Sequence, residues 1–224
     1  MSVADALRAR KDTVRPDAIR VDLQLMAGMI EPGARVLDVG CGDGGLLHHL
    51  VDNKDVDGRG LEISQAGVIA CLRRGLSVVQ GNADTDLADY PTGAFDYVVL
   101  SQTLQATYNP LTVVNEMIRI GRYAIVSFPN FAYWRNRLQL LTRGRMPVTS
   151  ILPLPWYATP NIHFCSIADF TDLCDERGIT LVRQYALGGD GRAGGLAGRG
   201  FMANLLGGQG VFLLTNGADA DALG

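Results

Sequence analysis

Residues 35–45, RVLDVGCGDGG, constrain this chain more than any other stretch. A short apolar run passes straight into four glycines within six positions, and LLHHLVD follows with helical character. A strand, a tight glycine turn and a helix, in that order, open a βαβ unit. The theme then recurs: GRGLEIS, LSVVQGN, FDYVVLSQ and YAIVSFPN read as strands two to five. Val68, Ile69 and Leu72 mark a helix ending at Gly75, and Pro110 opens another carrying Leu111, Val114, Met117 and Ile118. Upstream, Ile19, Leu23, Met26 and Ile30 stand at helical spacing until EPG stops them. Strands that are almost wholly apolar and alternate with helices predict a mostly parallel sheet covered on both faces.

After strand five the pattern breaks. Residues 131–165 are aromatic, Arg-rich and Pro-punctuated, which predicts an insertion lying over the sheet's edge. Ser166 with Asp169 then forms a capping box, and a helix runs to Gly178. ITLVRQYAL and GVFLLT bring the expected strands to seven. The GGDGRAGGLAGRG between them is too long for a tight hairpin turn and reads as a mobile loop. With 224 residues the chain suits one domain, over 1–216, with GADADALG (217–224) as a flexible tail.

Composition narrows the classes. No apolar run approaches the ~20 residues needed to span a bilayer, and the N-terminus lacks the apolar core of a secretory signal. Cys41, Cys71, Cys165 and Cys174 are scattered without metal-ligand spacing. These features predict a cytoplasmic protein with reduced thiols and no metal site. The net charge of −3 argues against a dedicated nucleic-acid binder. Its distribution is uneven. Met117 to Ala168 contains no Asp or Glu, yet holds Arg119, Arg122, Arg135, Arg137, Arg143 and Arg145. Such asymmetry points to an anionic ligand or a partner surface.

Gly40, Gly42 and Gly45 satisfy G-x-G-x-x-G, a weak signal alone. Its setting between strand and helix, with Glu62 at the end of strand two, points to an adenosine-containing ligand whose ribose Glu62 accepts. Asp38 and Asp43 flank the glycines and would repel a pyrophosphate. They suit a ligand bearing an ammonium group, as S-adenosylmethionine does. In GNAD, after strand three, Asn82 or Asp84 could accept from the adenine amino group.

D-x-G-x-G-x-G, an acidic end to strand two and a polar end to strand three together resemble the class I S-adenosylmethionine-dependent methyltransferases. Longer segments are more specific. NKDVDGRGLEIS, LSQTLQATYNP, VSFPNFAYWRNRLQLLTRGRMPVT and PWYATPNIHFCSIADF resemble the methionine-biosynthesis family MetW over roughly residues 15–216. The resemblance implies a Rossmann-like class I methyltransferase fold. It also implies work alongside a homoserine O-acyltransferase in methionine synthesis. The implied ligand is S-adenosylmethionine or S-adenosylhomocysteine. Asp38, Gly40 and Gly42 would hold its methionine portion, Glu62 the ribose, and Asn82, Ala83 and Asp84 the adenine. Cys41, Ile63 and Ser101 complete the predicted set. Enzymes of this class more often carry Asp where Asn82 stands.

Catalytic groups are harder to find. Strand four ends in SQTLQ, where Ser101 and Gln102 can hydrogen-bond but cannot act as bases near neutrality. Outside the His48–His49 pair, His163 is the one candidate base. Cys165 lies two residues on and would share a face with His163 in a strand, but no third group orients the two. A structural role is favoured for both. The Arg- and aromatic-rich insertion admits a nucleic-acid surface, a lid or a protein-docking surface. Overall acidity disfavours the first, and Trp, Tyr and Arg together favour docking. The expected function, implied by the MetW resemblance, is that of a ligand-binding partner or regulator of a homoserine O-acyltransferase. The alternative is a methyltransferase acting on a small substrate.

Overall fold

The computed structural model describes residues 19–189, 196–197 and 200–216. The expected tail, most of the Gly-rich loop and the N-terminal segment used to predict location fall outside those residues. Helix α1 (Val21–Met29) leads into β1 (Arg35–Val39), α2 (Gly45–Lys54), β2 (Asp57–Glu62), α3 (Gln65–Arg73) and β3 (Ser77–Gln80). Then come β4 (Phe95–Ser101), α4 (Pro110–Ile120), β5 (Gly121–Pro129), α5 (Trp134–Arg143) and α6 (Ile167–Arg177). Strand β6 (Thr180–Gly188), the two-residue β7 (Leu196–Ala197), α7 (Phe201–Leu206) and β8 (Gly207–Thr215) close the chain.

Among the described residues the strands form one sheet, ordered β3-β2-β1-β4-β5-β8-β6-β7. The first five run parallel; β8 runs against both β5 and β6, and β7 against β6. This is the mostly parallel sheet expected, with β7 added at its edge. One face packs under α4, α6 and α7, where Val113, Met117, Phe170 and Cys174 meet Val98, Ala124, Phe128 and Phe212. The other face packs under α1 and α2 through Met26, Ile30, Leu46 and Leu50 against Val36, Val99 and Ile125.

Local chemistry sets the boundaries. Ser166 Oγ accepts from the Asp169 N–H and Asp169 returns the bond to the Ser166 N–H, the predicted capping box. Gly178 ends that helix in the left-handed conformation. Pro110 occupies the first turn of α4, where its missing N–H costs nothing. The sequence reading missed α5, whose helix lies inside the stretch read only as an insertion. It also missed α7 and β7, because FMANLL makes fewer than two turns and its neighbours are glycines.

The insertion lies elsewhere than expected. It leaves β5, an interior strand flanked by β4 and β8, so it folds over the carboxyl ends of the central strands and not over the sheet's edge. Asn130, fully buried, fastens it. Its Nδ2 donates to the carbonyls of Asn204 and Gly207, both at 2.7 Å, and its Oδ1 accepts from the N–H groups of Ala132 and Ile167. Gln105, also buried, donates to the Pro129 carbonyl at 3.0 Å. Its backbone oxygen accepts from the N–H groups of Ile162 and His163.

Candidate functional site

The order of strand addition reverses between the parallel neighbours β1 and β4, the switch point at which open α/β sheets hold ligands outside the carboxyl ends of their strands. The fold gathers the predicted residues at this place: Asp38 on β1, the glycine turn after it, Glu62 ending β2, Asn82 to Asp84 after β3, and Ser101 ending β4.

The turn is built on glycine geometry. Gly42 has φ +59°, and a Cβ there would meet no atom within 4 Å, so its open side is free for a ligand. Gly44 has φ +75°, and a Cβ would come within 2.5 Å of Leu76 Cδ1, so it lets α2 approach α3 and β3. The Gly40 N–H donates to the Leu61 carbonyl at 2.7 Å, tying the turn to β2.

Glu62 braces this turn from below. Its Oε2 accepts from the Gly42 N–H and its Oε1 from the Ser64 N–H, both at 2.8 Å. Each oxygen keeps a further lone pair for a hydroxyl. Asp38 is only 2% exposed, and its Oδ1 has no hydrogen-bond partner. Burial, and then the negative charge of Glu62, push its carboxyl up to about 7, against a smaller opposing pull from Arg20. A buried carboxylate with an unpartnered oxygen, beside an open glycine turn, is what an ammonium-bearing ligand would satisfy.

The other predicted residues take varied positions. Asp43 is exposed and pairs with Arg74 at 2.9 Å, whereas Asp38 Oδ1 has no partner. Cys41 turns inward to Cys71, 3.7 Å between sulfurs, and burial pushes its thiol up. Ile63 stands exposed beside Glu62 as an apolar platform. Asn82 Oδ1 accepts from the Asp84 N–H at 3.0 Å. Both Asp84 oxygens accept from the loop before α4, from the Tyr108 N–H at 3.0 Å and the Asn109 N–H at 2.9 Å. Ala83 packs on the core.

Sequence reasoning missed a polar cluster beside Ser101. Asp22, 4% exposed, accepts from the Arg20 guanidinium at 2.8 Å, from Gln102 Nε2 at 3.2 Å and from Gln209 Nε2 at 3.0 Å. Arg20 also donates to Ser101 Oγ at 3.0 Å. The signal was present: Asp22 stands four residues before Met26 and seven before Met29, which places a carboxylate on the buried face of α1. Gln102 has φ +54°, rare for a residue with a side chain.

Next to this cluster lies a cavity of about 370 Å³, floored by Gln102, Pro129, Gly208 and Gln209 and roofed by the insertion. His163 does not line it. That residue is exposed, with Nε2 3.3 Å from the Tyr108 carbonyl. Residues 161–166 form no strand, and Gln105 donates to Cys165 Sγ at 3.3 Å. Burial pushes the Cys165 thiol up to about 11, leaving little thiolate near neutrality. His48 and His49 are half-buried on α2, facing Asp52 and Asn53 of the same helix. Among the described residues no His, Cys, Asp and Glu cluster could hold a metal, and no helix is long and apolar enough to cross a membrane.

Comparison with known proteins adds the family. A family model described as methionine biosynthesis protein MetW matches residues 20–214. The bifunctional methionine biosynthesis protein MetXA/MetW of Rhodopirellula baltica is 37% identical over 172 residues, 73% of this chain. The chain spans only 28% of that relative's length. Among solved structures, a Thermotoga maritima methyltransferase described as S-adenosylmethionine-dependent superposes with a TM-score of 0.62 at 19% identity. That match covers 88% of this chain and 87% of the other. A TehB-like methyltransferase from Corynebacterium glutamicum superposes with a TM-score of 0.61 at 16% identity, covering 95% and 96%. The chain thus belongs to the MetW family of methionine biosynthesis proteins, built on the class I S-adenosylmethionine-dependent methyltransferase fold.

Proposed function

We propose that this chain is a ligand-binding partner subunit in methionine biosynthesis. It binds S-adenosylmethionine or S-adenosylhomocysteine at the β1–β4 crevice and docks on a homoserine O-acyltransferase. The observation that carries the docking half is α5. Its one buried residue is Asn136, while Leu141 is 85% exposed and Leu138 is exposed on the same helix. Trp156, 71% exposed, and Tyr157 extend the apolar surface, and Arg135, Arg137, Arg143 and Arg145 surround it without a carboxylate in the segment. A helix that shows leucines and arginines to solvent fits an interface with an acidic surface. The bifunctional relative supports the pairing, since its name joins MetXA to MetW in one protein.

The ligand half rests on Asp38 and Glu62. Asp38 would pair with the ligand's ammonium group, Glu62 would accept from the ribose hydroxyls, and Ile63 would lie against the adenine. The bound molecule supplies a methyl donor or its spent form; the chain's residues supply only recognition in this reading. Glu62→Ala is expected to weaken S-adenosylhomocysteine binding about tenfold or more by calorimetry, because charge-assisted bonds are lost and the turn loses its brace. Preferential binding of NAD in the same titration would overturn the ligand assignment.

Docking is tested by co-purification. Trp134→Ala, Leu141→Glu, or the joint Arg143→Glu and Arg145→Glu change should each weaken acyltransferase association by at least ~2 kcal/mol. Nucleotide affinity should stay within about threefold of wild type, since these residues lie off the crevice. Unchanged association with damaged nucleotide binding would make the insertion a lid. The second reading, a methyltransferase, is favoured by the cavity beside Gln102. Robust methyl transfer that is lost when Ile151→Trp fills the cavity supports the enzyme; His163, outside the lining, is not expected to take part.

A further inference from the structure

The cavity beside Gln102 has no part in the partner reading, and its lining is specific. We propose that it binds a neutral, predominantly apolar small molecule, held at its polar end by Gln102 and Gln209. Three observations carry this.

The first is charge. None of the lining residues is ionisable, although the segment that roofs the cavity carries four arginines and His163. Every one of those charges lies outside the lining. A zwitterion or a phosphate would leave water here and meet no charged side chain in the lining, since the nearby Asp22 carboxylate is already paired with Arg20 and bonded to both glutamines. Free amino acids such as homoserine, and acyl donors whose phosphates must enter, are disfavoured on that ground.

The second is shape and surface. At about 370 Å³ the space falls in the range of small-molecule sites. Phe131 and Phe164, 4.9 Å between ring centroids, form part of the wall with Ile151, Leu152 and Met146. Trp156 also lines it while being largely exposed, and so stands at its rim.

The third is preorganisation. A single buried carboxylate, Asp22, accepts one Nε2 hydrogen from each of Gln102 and Gln209. That fixes which way both amides point. Each retains its carbonyl oxygen and its second N–H for a ligand, with no other side-chain bond from either amide among the described residues. Gln102 is held besides by its backbone, whose N–H donates to the Ser127 carbonyl at 2.9 Å. An amide pair in an uncharged pocket recognises a neutral hydroxyl, carbonyl or amide group on an otherwise apolar molecule. Ser101, the preceding residue, faces Arg20 at the nucleotide crevice, so the two sites share a wall.

The test uses two probes that differ in one charge. N-phenyl-1-naphthylamine is neutral and fluoresces when sheltered from water; 8-anilinonaphthalene-1-sulfonate carries a sulfonate on a similar frame. The intact chain should bind the neutral dye saturably and at least tenfold tighter than the sulfonate. Ile151→Trp and, independently, Leu154→Trp fill the cavity and should each weaken the neutral dye at least tenfold, with S-adenosylhomocysteine affinity unchanged as the fold control. Leu141→Ser should leave dye binding intact. Equal or tighter sulfonate binding overturns the proposal. So does dye binding that survives both filling variants or disappears in Leu141→Ser, because the dye then sits on α5. Acyltransferase association is a separate measurement, so failure of the docking reading leaves this result interpretable.

Discussion

S-adenosylhomocysteine is expected to bind about tenfold tighter or more as the pH rises from about 5.5 to about 7.5, with Asp38 setting the change. The Asp38 carboxyl is pushed up to about 7 by burial first and by Glu62 second. Below that value it is protonated and offers an ammonium group no charge, so a proton must leave before the ion pair forms. Affinity therefore rises with pH and levels off above the folded-state value. 5′-Methylthioadenosine lacks the amino-acid portion and should show a flat profile over the same range. Asp38→Asn should flatten the profile for S-adenosylhomocysteine and cost about 30-fold or more near pH 8, the loss of a buried charge-assisted bond. The same shift has a stability consequence of opposite sense. Between the ordinary aspartate value and about 7 the folded chain binds a proton that the unfolded chain has released. Stability of the ligand-free protein therefore falls as pH rises through that window, and ligand restores it. A pH-independent affinity for S-adenosylhomocysteine, or a profile shared with 5′-methylthioadenosine, would remove Asp38 from recognition.

Asn130→Ala should destabilise the protein by about 3–5 kcal/mol and lower its melting temperature by roughly 10 °C. The side chain is fully buried and makes four hydrogen bonds, two donated and two accepted, to four separate backbone groups. Alanine removes all four and leaves buried carbonyls at Asn204 and Gly207 facing no donor from it. Those groups lie where β5, α6, α7 and β8 converge. Asn130→Asp, of nearly equal volume, should also destabilise strongly, because it places a carboxylate oxygen against two carbonyls. Thermal melts of both variants check this. A melting temperature within about two degrees of wild type for Asn130→Ala would show that the convergence is held by packing alone.

Much of the architecture was legible because it rests on local rules. The parallel strands are continuous apolar runs, the helices carry a 3.6-residue stripe, and the ends carry recognisable caps at Ser166, Pro110 and Gly178. The short α7 and β7 were not legible, nor was α5, which buries only Asn136 and so shows no core-facing apolar stripe. The strand order, with β8 inserted between β5 and β6, was not either, since hydrogen-bond partners lie far apart in sequence.

At the site the same division holds. Residue type and spacing alone determined that Asp38, the glycine turn and Glu62 would stand at neighbouring strand ends, because a βαβ unit delivers them there. Only the tertiary structure decided which carboxylate is left without a partner. Asp43 found Arg74, and Asp84 found the loop before α4, while Asp38 Oδ1 found no donor among the described residues. Nor could sequence show that Asp22, Gln102 and Gln209, separated by 80 and 187 residues, meet at one point. Burial and long-range hydrogen bonding are properties of packed elements, and a chain read in one dimension holds the donors and acceptors without saying which of them will meet.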